Sequence, residues 1–101
     1  MSQDLWTWSG AYFGYREDSR LWTYTGLHVG NFYDDDVYGS DGRYMGTIEG
    51  DRLITKIAEK RKRKTSFIPL SKRFPRTKGR NYVGMIARTG YEDFPLPETF
   101  V

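Results

Sequence analysis

The chain has 101 residues, 38% of them hydrophobic and 17% aromatic, which suits one small folded domain and argues against intrinsic disorder. It contains no cysteine, which excludes a disulfide scaffold, a thiolate metal site and a cysteine nucleophile, and no apolar run nears the roughly 20 residues of a membrane span. Sixteen Lys and Arg against thirteen Asp and Glu leave +3, too little by itself to declare a nucleic-acid binder.

In chain order, Met1-Ser2-Gln3-Asp4 does not begin like a signal peptide, so the expected setting is cytoplasmic and away from membranes. A repeat then opens. Leu5-Trp6-Thr7-Trp8-Ser9-Gly10 is answered sixteen residues later by Leu21-Trp22-Thr23-Tyr24-Thr25-Gly26, and again by Val37-Tyr38-Gly39-Ser40-Asp41-Gly42. A fourth copy starts on schedule at Leu53-Ile54-Thr55-Lys56, is interrupted, and resumes at Gly79-Arg80-Asn81-Tyr82-Val83-Gly84. The expected copies are 5–20, 21–36, 37–52 and 53–88, all within one domain spanning 1–101.

Each copy reads as a β-hairpin. Ser9-Gly10, Thr25-Gly26 and Asp41-Gly42 suit two-residue turns, because glycine takes positive φ without steric cost, and Asp18-Ser19, Asp34-Asp35 and Gly50-Asp51 punctuate the joins between copies. Counting outward from two-residue turns sets Leu5, Leu21, Val37 and Leu53 opposite Gly14, Gly30, Gly46 and Gly84. These pairs share the inner surface with Phe32, Ile48 and Ile86, the glycine leaving room for a neighbour to cross the centre. The same count sets Trp6 opposite Phe13, Trp22 opposite Val29, Tyr38 opposite Met45 and Ile54 opposite Val83. That second, aromatic surface also carries Trp8, Tyr24 and Leu27 and is expected to be half-exposed or covered. Glu17 opposite Arg20 and Glu49 opposite Arg52 are expected to brace the joins.

The charges are segregated. Residues 1–52 carry four basic and nine acidic residues, whereas 57–80 carry ten basic residues against Glu59 alone. The insertion 57–78 therefore reads as a cationic arm in the fourth hairpin, tolerated there because loop closure costs grow slowly with length. Lys60, Arg61, Lys62, Arg63 and Lys64 form its first cluster; Lys72, Arg73, Arg76 and Lys78, interleaved with Phe67 and Phe74, form the second. Such an arm fits a nucleic-acid backbone, with Phe67 and Phe74 stacking on bases, or an acidic protein surface, or the acidic hairpins of its own chain or a sister chain. The tail 89–101, with two prolines among aromatic and acidic residues, is expected to dock in extended form on its own chain or on another.

The repeat, its glycine spacing, Ser66-Phe67-Ile68-Pro69 in the arm and Gly90-Tyr91-Glu92-Asp93-Phe94-Pro95 near the end together resemble the four-fold beta flower proteins, a bacterial family. The resemblance implies an all-β fold of four hairpins around a pseudo-four-fold axis. A closed barrel and an open rosette both satisfy the pairing. It implies no activity and hands on no catalytic residues.

Catalytic chemistry is sparse in the residues themselves. His28, the one histidine, occupies the repeat position of Tyr12, Tyr44 and Tyr82 and reads as structural. Asp34-Asp35-Asp36 sits on a join, in step with Asp18 and Asp51, and reads as a solvated turn rather than a metal site. The sequence thus predicts a non-enzymatic binding module without cofactor or metal, which uses its arm on an acidic partner or nucleic acid. The alternative is a homo-oligomer subunit whose arm and tail exchange between chains.

Overall fold

The computed structural model describes residues 2–100. Eight short strands follow one another: β1 (Ser2–Thr7), β2 (Tyr12–Glu17), β3 (Arg20–Thr23), β4 (His28–Tyr33), β5 (Asp36–Gly39), β6 (Tyr44–Glu49), β7 (Arg52–Lys56) and β8 (Tyr91–Asp93). Neighbours pair antiparallel in chain order, and β1 also pairs in parallel with the start of β7, Trp6 with Arg52 and Thr7 with Leu53. The result is a closed seven-strand barrel, with β8 added to the rest of the β7 edge. Closure removes the unpaired edges that strands this short would otherwise leave to solvent.

The joins are two-residue turns, as expected. Glu17 pairs with Arg20, Tyr33 with Asp36 and Glu49 with Arg52; Asp18 and Asp34 take φ of +55° and +56°, and Gly50 takes +63°. The hairpin tips differ from the two-residue expectation. At the first, the Gly10 N–H donates to the Thr7 carbonyl and the Thr7 N–H to the Ala11 carbonyl, and the same pair of bonds recurs from Gly26 and Thr23, and from Gly42 and Gly39. These are three-residue loops, which bring a β-bulge with them.

The bulge corrects the aromatic register. Leu5 does face Gly14, Leu21 Gly30 and Val37 Gly46, but Trp6 faces Tyr12, Trp22 faces His28 and Tyr38 faces Tyr44. Phe13, Val29 and Met45 are the extra residues, with no partner across the ladder. A bulge re-aims its side chain, and all three turn into the barrel: Phe13 and Val29 belong to the core, and Met45 packs against it. The core otherwise holds the expected Leu5, Leu21, Phe32, Val37, Ile48 and Leu53, with Phe94 from the tail. Phe94 lies where a Cβ on Gly46 would stand, so the glycine does make room for a side chain crossing the centre. Leu27, expected on the aromatic surface, packs against this core instead.

The fourth hairpin is also corrected. Residues 79–88 form no strand; on that edge of β7 Ile54 faces Asp93, not Val83, Leu53 faces Thr7 of β1, not Gly84, and Ile86 is exposed. Two causes combine. Barrel closure occupies the edge of β7 at Arg52 and Leu53, and residues 82 and 85 spend their N–H groups on the first hairpin tip instead. The interruption thus runs from 57 to 90, and its ends meet where Lys56 pairs with Tyr91.

Candidate functional site: a cationic strap on the barrel

The long insertion lies against its own barrel. From β7 it passes the third hairpin tip, then the second, then the first, and returns to β7, so that strap and barrel closure together complete one circuit. Its attachment is periodic. The N–H groups of Lys64, Arg73 and Tyr82 donate to the carbonyls of Gly42, Gly26 and Gly10; those of Phe67, Arg76 and Met85 donate to Ser40, Tyr24 and Trp8. A nine-residue step along the strap thus matches a sixteen-residue step in the hairpins.

At each station the strap residue that donates first also covers the aromatic residue at the same repeat position. Lys64 Nζ lies over Tyr38 and Tyr33, the Arg73 guanidinium lies 3.8 Å above the Trp22 ring, and Tyr82 stacks on Trp6. Cations over indole and phenol faces gain from the ring quadrupole, on the order of 1 kcal/mol each where partly desolvated. Further along, Arg76 sits over Tyr15, Lys78 over Tyr24 and Arg88 over Trp8. The aromatic surface that the sequence left half-open is therefore covered. The indole N–H groups of Trp6 and Trp8 donate to strap carbonyls of Arg80 and Ile86 at 2.8 Å, whereas the Trp22 N–H has no partner among the described residues.

The same strap neutralises the acidic hairpins. Lys62 pairs with Asp36 at 2.8 Å, Arg73 with Glu17 at 2.8 Å, Lys60 with Glu92, and Arg88 grips both Glu49 oxygens at 2.6 and 2.9 Å. Glu17 and Glu49, expected to brace the joins through Arg20 and Arg52, have the predicted backbone register but give their charge to the strap. Arg73 and Arg88, through their hydrogen bonds, hold the carboxyls of Glu17 and Glu49 below the usual carboxylate range, and Asp36 raises the Lys62 ammonium.

The residues singled out by sequence fall into two groups. Lys60, Lys62, Lys64, Phe67, Arg73 and Arg76 face the barrel, Phe67 stacking on His28 with centroids 4.9 Å apart. Arg61, Arg63, Lys72 and Phe74 face outward, Phe74 with 96% of its surface exposed. Arg61, Arg63, Lys72 and the unforeseen Arg80 form no ion pair among the described residues. Sequence reading also missed Tyr82 and Arg88 as strap contacts. What recurs at nine residues is a main-chain N–H, which leaves no trace in side-chain identity.

The tail docks on its own chain, but goes deeper than a surface strap. Phe94 and Phe100 meet Phe13 edge-on at 5.3 and 6.0 Å, Asp93 accepts the Ser9 N–H, and Tyr24 donates its hydroxyl proton to Glu98. The tail thus covers part of the barrel mouth. Beside it a cleft of about 970 Å³ remains, walled by His28, Tyr44, Met45, Leu70 and Phe100 and rimmed by the Arg43–Asp41 and Lys60–Glu92 pairs. No three His, Asp or Glu side chains converge on a metal position among the described residues, and no helix there is long and apolar enough to cross a membrane.

Short hairpins repeating every sixteen residues and closed through a parallel β1–β7 seam define a hairpin-repeat barrel. The chain belongs to the 4-fold beta flower protein family, whose model matches residues 2–90. No curated protein and no solved structure matches it.

Proposed function

We propose that the protein is a non-enzymatic binding module that holds an anionic partner on the outer face of its strap. The supporting observation is the division of strap cations. Those facing the barrel are matched by carboxylates or rings, while Arg61, Arg63, Lys72 and Arg80 are exposed and form no ion pair among the described residues, and Phe74 stands exposed beside Lys72. Guanidinium and ammonium groups left unneutralised on a backbone already fixed in place attract phosphates or carboxylates by counterion release, with little sequence preference. An exposed ring among them suits stacking on a base. Since both strap ends are tied at the Lys56–Tyr91 pair and the tail is buried in the core, the binding reading is favoured over exchange of arm and tail between chains.

The test is fluorescence anisotropy with a labelled single strand, a duplex and polyglutamate, from low to high salt. With four phosphate contacts the single strand should give a log–log salt slope of about −3. A variant with Arg61, Arg63, Lys72 and Arg80 all changed to Ser should lose most of the low-salt affinity. Binding to none of the three polyanions at low salt, or undiminished binding by the variant, would overturn the reading.

A further inference from the structure

The structure assigns to His28 the role of a protonation-sensitive latch on the strap segment 67–70, which forms one wall of the mouth cleft. The imidazole is buried and fully used. Its Nε2 lies 2.7 Å from the Asn31 Oδ1, which can only accept, so Nε2 carries the proton; its Nδ1 then offers a lone pair, which accepts the Leu70 N–H at 3.0 Å. Trp22 lies on one ring face at 5.3 Å and Phe67 on the other at 4.9 Å. This arrangement requires the neutral ring. A second proton must go to Nδ1, where it points at the Leu70 N–H, and the contact turns from attraction to repulsion.

Among the described residues no charged side chain hydrogen-bonds or ion-pairs with the ring. Over Trp22 of β3 lies the strap's Arg73 guanidinium, itself paired with Glu17; on β4 the partner is the neutral Asn31. Across the cleft stand Asp41 with Arg43, Lys60 with Glu92, Asp93, and the Tyr44 phenol. No carboxylate forms an ion pair with the imidazole among the described residues. The corresponding positions in the first and third hairpins hold Tyr12 and Tyr44, which do not titrate near neutral pH, so the latch is confined to the second station. That station is also short of one bond: the Trp6 indole donates to the strap at Arg80, and the Trp22 indole finds no acceptor among the described residues. Protonation of the ring should therefore free segment 67–70 and widen the cleft, leaving the first station closed. The inference is independent of what the outer face of the strap binds.

The experiment is an NMR titration of the full chain from pH 8 to pH 5, following the His28 ring, the Leu70 and Phe67 amides, and the Tyr82 and Met85 amides as reference. Leu70 should shift with the same midpoint as the imidazole, and its exchange protection relative to Tyr82 should fall about tenfold, as expected for losing one hydrogen bond. His28→Tyr, the residue of the neighbouring stations, should abolish the pH dependence. A ring that titrates while Leu70 and Phe67 stay still would overturn the latch, as would the same loss of protection in His28→Tyr. If that variant fails to fold, the comparison of Leu70 with Tyr82 in the unaltered chain decides alone.

Discussion

Tyr82 lies flat on Trp6, ring centroids 4.1 Å apart and planes 12° from parallel, and Arg73 takes the same place over Trp22. A phenol and a guanidinium are thus interchangeable at equivalent stations, because both present a flat, weakly hydrated face to an indole. What the station demands of the strap is a main-chain N–H aimed at the turn carbonyl; the side chain only has to cover a ring.

That demand makes the tip glycines the sharpest stability test. At Gly26 φ is +98°, and an added Cβ would stand 2.1 Å from the Arg73 carbonyl oxygen. Gly26→Ala should cost about 3 kcal/mol, combining left-handed strain with the loss of strap bonds, and lower Tm by more than about 10 °C. Gly50, at φ +63° with open space around it, is the control: Gly50→Ala should cost only about 1 kcal/mol. Calorimetry of the two variants separates the close approach from the φ effect.

Acid should loosen the strap through its carboxylates. Arg73, Arg88 and Tyr24 hold the carboxyls of Glu17, Glu49 and Glu98 below their ordinary value of 4.5. A carboxyl depressed in the folded state contributes stability that is present above its unfolded pKa and is lost as pH falls through the folded one. The carboxylate contribution to urea midpoints, read in the His28→Tyr background, should therefore hold steady from pH 7 to about 5 and decline below about 4.5. Glu49→Gln should flatten that decline, and high salt should weaken it, since these groups are largely exposed.

Alkali acts beneath the strap, where Tyr12 packs at the first station. Burial, reinforced by a hydrogen bond to Asp4 at 3.0 Å, pushes the Tyr12 phenol up to about 12. For a group raised on folding, the contribution is complete below the unfolded value near 10 and is lost as pH climbs toward 12. Absorbance titration should show Tyr12 among the last phenols to ionise, and Asp4→Asn should lower its midpoint.

Two phenylalanines, one in the tail and one at the middle of the strap, should behave oppositely. Phe94 is buried in the core against Phe13 and Gly46, and Phe94→Ala should cost about 3–5 kcal/mol, enough to threaten folding of a domain this small. Phe74, almost fully exposed, should tolerate Ala within about 0.5 kcal/mol. Denaturant midpoints of the pair check whether the tail is part of the core.

Much of the barrel was legible because it is local. Leu5, Leu21 and Val37 announce their glycine partners at a fixed count, and Asp18, Asp34 and Gly50 announce two-residue joins. Phe13 and Val29 were misplaced because a bulge depends on one extra tip residue, which changes nothing in composition. The cationic arm was visible as a charge run. Which of its cations face in was not, since Arg73 and Lys72 differ only in where the strap's N–H groups find their carbonyls.

The sequence by itself determined the sixteen-residue period, the inward aliphatic layer and the segregation of charge, because each rests on residues near one another or on simple counting. Only the tertiary structure decided that β1 closes on β7, that the return strand of the fourth hairpin comes from Tyr91–Asp93, and that the strap repeats every nine residues. Those outcomes depend on competition among backbone groups far apart in the chain. When closure takes the edge of β7 at Arg52 and Leu53, Tyr82 and Met85 must satisfy their N–H groups elsewhere, and the tip carbonyls of Gly10 and Trp8 accept them.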